Sequence, residues 1–97
     1  MSQCACITSA KFYIIIPSSM MTESLGKSIL SYGIKPCNIT MEVNEVTVQS
    51  GYFMVGSRRP FLDCLKGFKK LSRDQATEIV EKIRAGTIQL SDVYVMH

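Results

Sequence analysis

The fold is decided by the stretch KFYIIIP, residues 11–17, in which five successive side chains, Phe12 to Ile16, are aromatic or β-branched. Such a run is typical of a β-strand. It is far shorter than the roughly 20 apolar residues needed to span a bilayer. Pro17 predicts the end of the strand, because proline cannot donate to a sheet ladder. Residues 11–16 are therefore the predicted first strand, preceded by an N-terminal arm, residues 1–9.

A helix and a hairpin are predicted next along the chain. Apolar residues at helical spacing over residues 21–32, with Ser18 or Ser19 as the N-cap and Gly33 as the stop, predict a helix. Alternating side chains over residues 38–43 predict a second strand. Residues 46–55 predict its hairpin partner, with a turn at Asn44-Glu45 and a bulge at Gly51.

The second half of the chain predicts a broken helix and a short terminal strand. Pro60 is suited to a first helical position, ahead of apolar residues at helical spacing. Ser72 begins a capping box that predicts a second helical piece ending at Gly86, so the helix is broken near Leu71. Val93–Met96 predicts the last strand.

The order strand, helix, strand, strand, helix, strand predicts an α+β fold of the ferredoxin-like βαββαβ type. In that arrangement a four-stranded antiparallel sheet carries both helices on one face. The first and third strands are central, the fourth lies beside the first, and the second forms the other edge.

Composition indicates one globular domain over residues 1–97. The chain has 97 residues, 46% of them hydrophobic and 20% charged, which is unlike a disordered segment. No signal peptide is evident before Pro17, so we expect a cytoplasmic protein. In that compartment the four cysteines, Cys4, Cys6, Cys37 and Cys64, are expected to be reduced thiols.

The first and last strands are apolar on both faces, whereas a sheet covered on one face should alternate apolar and polar residues. One explanation is that the N-terminal arm or a loop covers the second face. The other is a protein interface, with a partner or a second copy making a homodimer. The predicted interface residues are Tyr13, Ile15, Tyr52, Met54, Tyr94 and Met96.

Basic residues are concentrated between Ser57 and Arg73. This segment carries six cations against Asp63 alone, a charge of +5 in a chain of net charge +3. Arg58 and Arg59 precede the predicted helix start at Pro60, where backbone amides favour anions. The segment therefore predicts contact with an acidic protein or with nucleic acid; the alternative is a solvated helix face. Its basic residues are Arg58, Arg59, Lys66, Lys69, Lys70 and Arg73.

Two nucleic-acid modules offer partial resemblances. Residues 50–55, SGYFMV, resemble the third-strand motif of the RNA-recognition family, which implies base stacking on Tyr52 and Tyr13. The sequence departs from that motif at Ser50, Met54 and Ser57. Residues 61–85 are similar to a helix-turn-helix, although its second helix presents acidic residues to DNA.

No catalytic set is present in the sequence. His97 is the only histidine and the last residue, so no serine or cysteine has an evident base. The ferredoxin-like fold also occurs in acylphosphatases, but the loop after the first strand, residues 17–20, lacks their arginine and glycine. The four cysteines contain no C-x2-C pair, so we expect no metal and no cofactor.

These features together favour a non-enzymatic binding protein, a stand-alone regulator or inhibitor that occupies the surface of a partner protein. A short chain of this kind looks like the accessory proteins that phages and viruses make. The alternative is a nucleic-acid-binding domain that uses the basic segment, residues 57–73.

Overall fold

A computed structural model describes residues 10–59, 65 and 67–95 of the chain. Three strands and two α-helices occur there in the order β1 (Phe12–Pro17), α1 (Glu23–Ser31), β2 (Cys37–Val43), β3 (Val46–Ser57) and α2 (Arg73–Ala85). Short 3-10 turns at Ser18–Met20 and Leu90–Asp92 complete the described secondary structure. The protein is therefore an α+β fold with a three-stranded antiparallel sheet. The first four predicted elements and the second piece of the predicted broken helix are confirmed.

The sheet has the strand order β1-β3-β2, with β3 in the centre. β1 pairs with residues 52–57 of β3, and β2 pairs with residues between 46 and 54. The register shifts between Ile39 and Thr40, where β3 contains two additional residues, Ser50 and Gly51. Gly51 has φ +86°, a value that glycine adopts readily, so the predicted bulge is confirmed.

The two helices lie on opposite faces of the sheet, because successive side chains of a strand point to opposite faces. Tyr13 and Ile15 of β1 belong to one buried cluster, which includes Ala76, Ile79, Val80 and Ile83 of α2. Ile14 and Ile16 belong to a second cluster, which includes Ile29 of α1. The predicted arrangement with both helices on one face is therefore wrong. The two apolar faces of β1 are explained by this double cover.

The outer edge of β1 pairs with the segment before α2 and not with the chain's terminal segment. Tyr13 forms an antiparallel bridge with Leu71, and Phe68 forms one with Tyr94. The Lys69 amide donates a hydrogen bond to the Val93 carbonyl, and the Val95 amide donates one to the Gly67 carbonyl. The predicted fourth strand thus lies one position further from β1 than a ferredoxin-like sheet requires, and the four-stranded topology is not observed.

Capping explains where each helix begins. The Oγ1 of Thr22 accepts a hydrogen bond from the Leu25 amide at 3.1 Å, so α1 begins after Thr22 and not after Ser18 or Ser19. The predicted capping box at Ser72 is confirmed for α2, as is its left-handed end at Gly86. The helix predicted to begin at Pro60 falls largely on residues 60–64 and 66, which are outside the described residues. Phe68 at its expected end is in a β-bridge.

The described residues form two α-helices, α1 of 9 residues and α2 of 13 residues. None of their helices combines the length and the apolar composition needed to cross a bilayer.

Candidate interaction surfaces

The predicted apolar interface lies mostly inside the protein. Tyr13, Ile15 and Met54 are at most 1% exposed and pack beneath α2, so their prediction as contact residues is wrong. Tyr52 and Tyr94 are half-buried against the same core. Met96 lies outside the described residues. The chain itself covers the strands that the sequence suggested a partner would cover.

The resemblance to the RNA-recognition family loses its structural basis for the same reason. Base stacking by that family needs an open sheet face with exposed aromatic rings. Here α1 and α2 cover opposite faces, and Tyr13 is fully buried.

Exposed apolar residues are instead found at the end of the β2–β3 hairpin. We call residues 40–49 the ribbon. Val43 pairs with Val46, and Met41 pairs with Val48, so these four side chains share one face of the ribbon. Val43, Val46 and Val48 are 44%, 59% and 37% exposed. The opposite face is polar, because Thr40 pairs with Gln49 and Glu42 pairs with Thr47.

The ribbon is uncovered because it extends past the rest of the sheet. β1 pairs only with residues 52–57 of β3, so residues 46–49 have β2 as their sole strand neighbour in the described structure. The turn that closes the ribbon has Asn44 at φ 52° and Glu45 at φ 64°. Two positive φ values define a type I′ turn, whose twist matches that of the strands. The ribbon is thus a well-defined hairpin with one apolar face.

The ribbon is also acidic in a chain rich in cations. Residues 37–57 contain Glu42 and Glu45 but none of the 11 lysines and arginines of the protein. Other exposed apolar side chains, such as Leu30 and Tyr32 of α1, are two residues apart and do not share a helix face. The ribbon, by contrast, presents its exposed apolar side chains on one face.

The basic segment lies at the opposite end of the sheet. Arg58, Arg59, Lys69, Lys70 and Arg73 are exposed, and Lys66 lies outside the described residues. The structure adds Lys11, which sequence reasoning missed: its amide donates to the Ser57 carbonyl at 3.1 Å, beside Arg58.

Arg73 belongs at the same end as Lys11. The Tyr13–Leu71 bridge is antiparallel, so the chain after Leu71 runs toward the start of β1, and Arg73 begins α2 on that side. We call Lys11, Arg58, Arg59 and Arg73 the basic cluster. Lys69 and Lys70 lie on the other side of Leu71, further along β1. The signal that would have revealed Lys11 is the strand register, which a single sequence does not provide.

The start of α2, which is not the helix start predicted to bind anions, is capped by side chains. The Oγ of Ser72 accepts from the Gln75 amide at 3.2 Å, and the Gln75 side chain accepts from the Ser72 amide at 3.0 Å. These amides are already bonded within the capping box. The helix start predicted after Arg59 lies outside the described residues.

Cys37, at the start of β2, is disulfide-bonded. The prediction of a reduced thiol is therefore wrong for Cys37. The other three cysteines of the chain, Cys4, Cys6 and Cys64, lie outside the described residues. A disulfide sulfur carries no thiolate charge for zinc. In the described part of the chain no three His, Cys, Asp or Glu side chains come together as a metal site.

Comparison of the chain with protein-family models, with curated proteins and with solved structures gives no match.

Proposed function

We propose that this protein is a non-enzymatic binding protein, a regulator or inhibitor that acts by occupying the surface of a partner protein. The observation that carries the proposal is the exposed apolar face of the ribbon, formed by Met41, Val43, Val46 and Val48. The sequence predicted an interface at the centre of the sheet, whereas the site proposed here is at the hairpin end.

The geometry of the ribbon suits protein binding. Because the type I′ turn holds the two strands in register, little conformational entropy is lost when the hairpin meets a partner. Burying the exposed parts of three valines contributes about 2–3 kcal/mol. Micromolar binding needs about 8 kcal/mol, so the partner must also bond to the open strand edges or cover neighbouring side chains.

The charge of the ribbon restricts the class of partner. Two glutamates without a neighbouring cation repel nucleic acid, and they favour an apolar surface bordered by lysine or arginine. A viral or phage accessory protein that blocks a host factor would fit this role. The described fold itself does not specify an organism.

The second candidate function is nucleic-acid binding through the basic residues. The observation in its favour is that Lys11 joins the segment predicted from the sequence, which strengthens the positive field at that end. The residues that would contact phosphate are Lys11, Arg58, Arg59, Lys66, Lys69, Lys70 and Arg73.

The cellular compartment bears on both candidates. Cytoplasmic location was expected from the sequence, whereas disulfides persist mainly in oxidising compartments. The bond at Cys37 favours an oxidising environment.

Matched apolar substitutions test the proposed function. Val46→Ser with Val48→Ser removes half of the ribbon's apolar face, and Leu30→Ser with Tyr32→Ser removes comparable exposed apolar groups from α1. A partner is identified by crosslinking in the native cell, purified and titrated against each variant. We expect the ribbon variant to lose at least tenfold in affinity and the α1 variant to bind normally. Equal binding by both variants would overturn the proposal.

A further inference from the structure

β1 covers only part of one edge of β3. It pairs with residues 52–57 and ends at Pro17, which has no backbone amide proton to donate. The chain then enters the 3-10 turn Ser18–Met20. Residues 46–49 of β3 continue the same edge beyond β1. All four are exposed, and in the described structure β2 is the only strand that pairs with them.

The hairpin turn determines which backbone groups face this edge. Val43 and Val46 flank a two-residue turn and therefore form a hydrogen-bonded pair. The backbone polar groups of Val46 and Val48 thus point toward β2. Those of Thr47 and Gln49 point toward the uncovered edge, because successive residues of a strand alternate in this respect. Each of these two residues can exchange two hydrogen bonds with a residue of an added antiparallel strand.

We propose that this edge binds an extended segment of the partner protein, which joins the sheet as a short strand antiparallel to β3 and in line with β1. The inference rests on the proposed function and specifies how the ribbon holds its partner. Proline and charged side chains are the usual protection of an edge, and residues 46–49 contain neither. They extend over about 13 Å, so a segment of about five residues is long enough to pair with all of them.

The two faces of the ribbon define the side chains of the segment. Residues opposite Val46 and Val48 lie on the apolar face, where apolar side chains would cover the exposed valines. Residues opposite Thr47 and Gln49 lie on the polar face. Glu42 pairs with Thr47 and is on that face too. A lysine or arginine opposite Thr47 is two strand spacings, about 10 Å, from Glu42, and two such long side chains can meet across Thr47.

Charge complementarity favours a cationic segment. Residues 37–57 contain Glu42 and Glu45 but no lysine or arginine, although the whole chain has a net charge of +3. A cationic segment therefore meets no like charge on the ribbon, whereas an acidic segment would face two carboxylates. The partner chemistry is thus an extended segment in which apolar residues alternate with lysine or arginine.

Synthetic peptides test the strand addition. The probe is a fluorescently labelled peptide in which valine and lysine alternate in equal numbers, titrated against the purified chain. With the valines on the apolar face, the lysine amides point toward β3 and the valine amides point away from it. Methylating the lysine backbone nitrogens should therefore weaken binding at least tenfold, whereas methylating the valine backbone nitrogens should change it by less than about twofold.

The two methylated peptides carry the same charge and the same number of methyl groups, so they differ only in which edge is blocked. Equal binding by both would overturn the proposal, and so would stronger binding by the peptide with methylated lysines. Failure of the unmodified peptide to bind at millimolar concentration would overturn it as well.

Variants of the chain test the edge and the charge separately. Thr47→Pro removes an outward amide and should weaken peptide binding at least tenfold, with circular dichroism confirming the fold. Glu42→Gln should weaken it about threefold. Glu78→Gln is the matched control, because it removes an exposed glutamate from α2, and it should have no effect. Equal binding by the two glutamine variants would overturn the assignment of a cationic segment.

The native partner distinguishes this inference from the proposed function. If Val46→Ser with Val48→Ser weakens that partner and a folded Thr47→Pro variant does not, the ribbon binds through its apolar face alone and the strand addition is wrong. If the serine variant binds the partner normally, the proposed function itself is wrong. If Thr47→Pro fails to fold, the methylated peptides decide the question.

Discussion

Tyr13 and Leu71 exchange two backbone hydrogen bonds. The Tyr13 amide donates to the Leu71 carbonyl at 2.9 Å, and the Leu71 amide donates to the Tyr13 carbonyl at 2.7 Å. This bridge holds the segment before α2 against the outer edge of β1. It also places the Leu71 side chain, which is 7% exposed, in the cluster beneath α2.

We expect Leu71→Ala to lower the free energy of unfolding by about 2–4 kcal/mol, because it leaves a cavity where β1 meets α2. Urea denaturation followed by circular dichroism measures the change. Leu30→Ala is the matched control: this leucine is 57% exposed, and its loss should change stability by less than about 0.5 kcal/mol. If both variants lost similar free energies of unfolding, Leu71 would not contribute to the core more than an exposed leucine does.

The same bridge shows why the fold was only partly predictable. Strands β1, β2 and β3 and both helices follow from local patterns: alternation, helical spacing and a capping box. The position of Val93–Val95 does not, because it depends on competition between two apolar segments for the edge of β1. Leu71 bonds to that edge, and the terminal segment pairs with residues 67–69 just before it.

The candidate site was harder to predict than the fold. The sequence shows that β1 is apolar on both faces, but it does not show whether helices or a partner cover them. Val43, Val46 and Val48 resemble ordinary inward-facing strand residues. They are exposed because β3, with 12 residues, extends beyond β1, which has 6 residues.

The turn residue Glu45 offers a stabilising substitution. Its φ of 64° is strained for a residue with a Cβ atom, and type I′ turns favour Asn-Gly. Because the turn already has Asn44, Glu45→Gly should raise the free energy of unfolding by about 1 kcal/mol. Thermal and urea denaturation measure the gain. A loss of stability would contradict the assigned turn.

The disulfide at Cys37 predicts a protein sensitive to reduction. Alkylation under non-reducing conditions, followed by mass spectrometry, should leave Cys37 unmodified and should identify its partner among Cys4, Cys6 and Cys64. Reduction should lower the free energy of unfolding by about 2–4 kcal/mol, as loss of a cross-link commonly does. Full alkylation of Cys37 in protein taken directly from cells would instead support a reducing compartment. Elemental analysis of the same sample should show no stoichiometric zinc.

Asp92 gives the protein a specific dependence on pH. Its carboxylate accepts a hydrogen bond from the Gln89 amide at 2.9 Å and lies 3.5 Å from the Lys82 Nζ of α2. The Gln89 bond, aided by the positive charge of Lys82, holds the pKa of Asp92 below its ordinary value of 3.8. Protonation is thus harder in the folded state than in the unfolded state, and the carboxylate stabilises the fold above the unfolded pKa. This stabilisation is lost as the pH falls through the folded pKa.

Asp92→Asn should accordingly reduce stability at neutral pH by about 1 kcal/mol or less, since the ion pair is partly exposed to solvent. The difference from the unaltered protein should narrow at about pH 2, where both side chains are neutral. Urea denaturation at the two pH values measures it. A difference independent of pH would show that the charge of Asp92 is not involved.

Charge reversal at Arg58 and Arg59 discriminates between the two proposed functions. Both side chains are exposed at the end of β3 opposite the ribbon, and Ser57 lies eleven residue steps, about 35 Å, from Val46 along the strand. This separation exceeds the screening length of about 10 Å at 0.1 M salt. Arg58→Glu with Arg59→Glu should therefore leave both thermal stability and the affinity of a ribbon-bound partner nearly unchanged.

If the protein binds nucleic acid instead, the same variant should lose most of its affinity for a labelled oligonucleotide. The unaltered protein should then bind that oligonucleotide less tightly as salt rises, with a steep slope. We expect the first result, and loss of the protein partner in the arginine variant would show that binding is centred on the basic cluster.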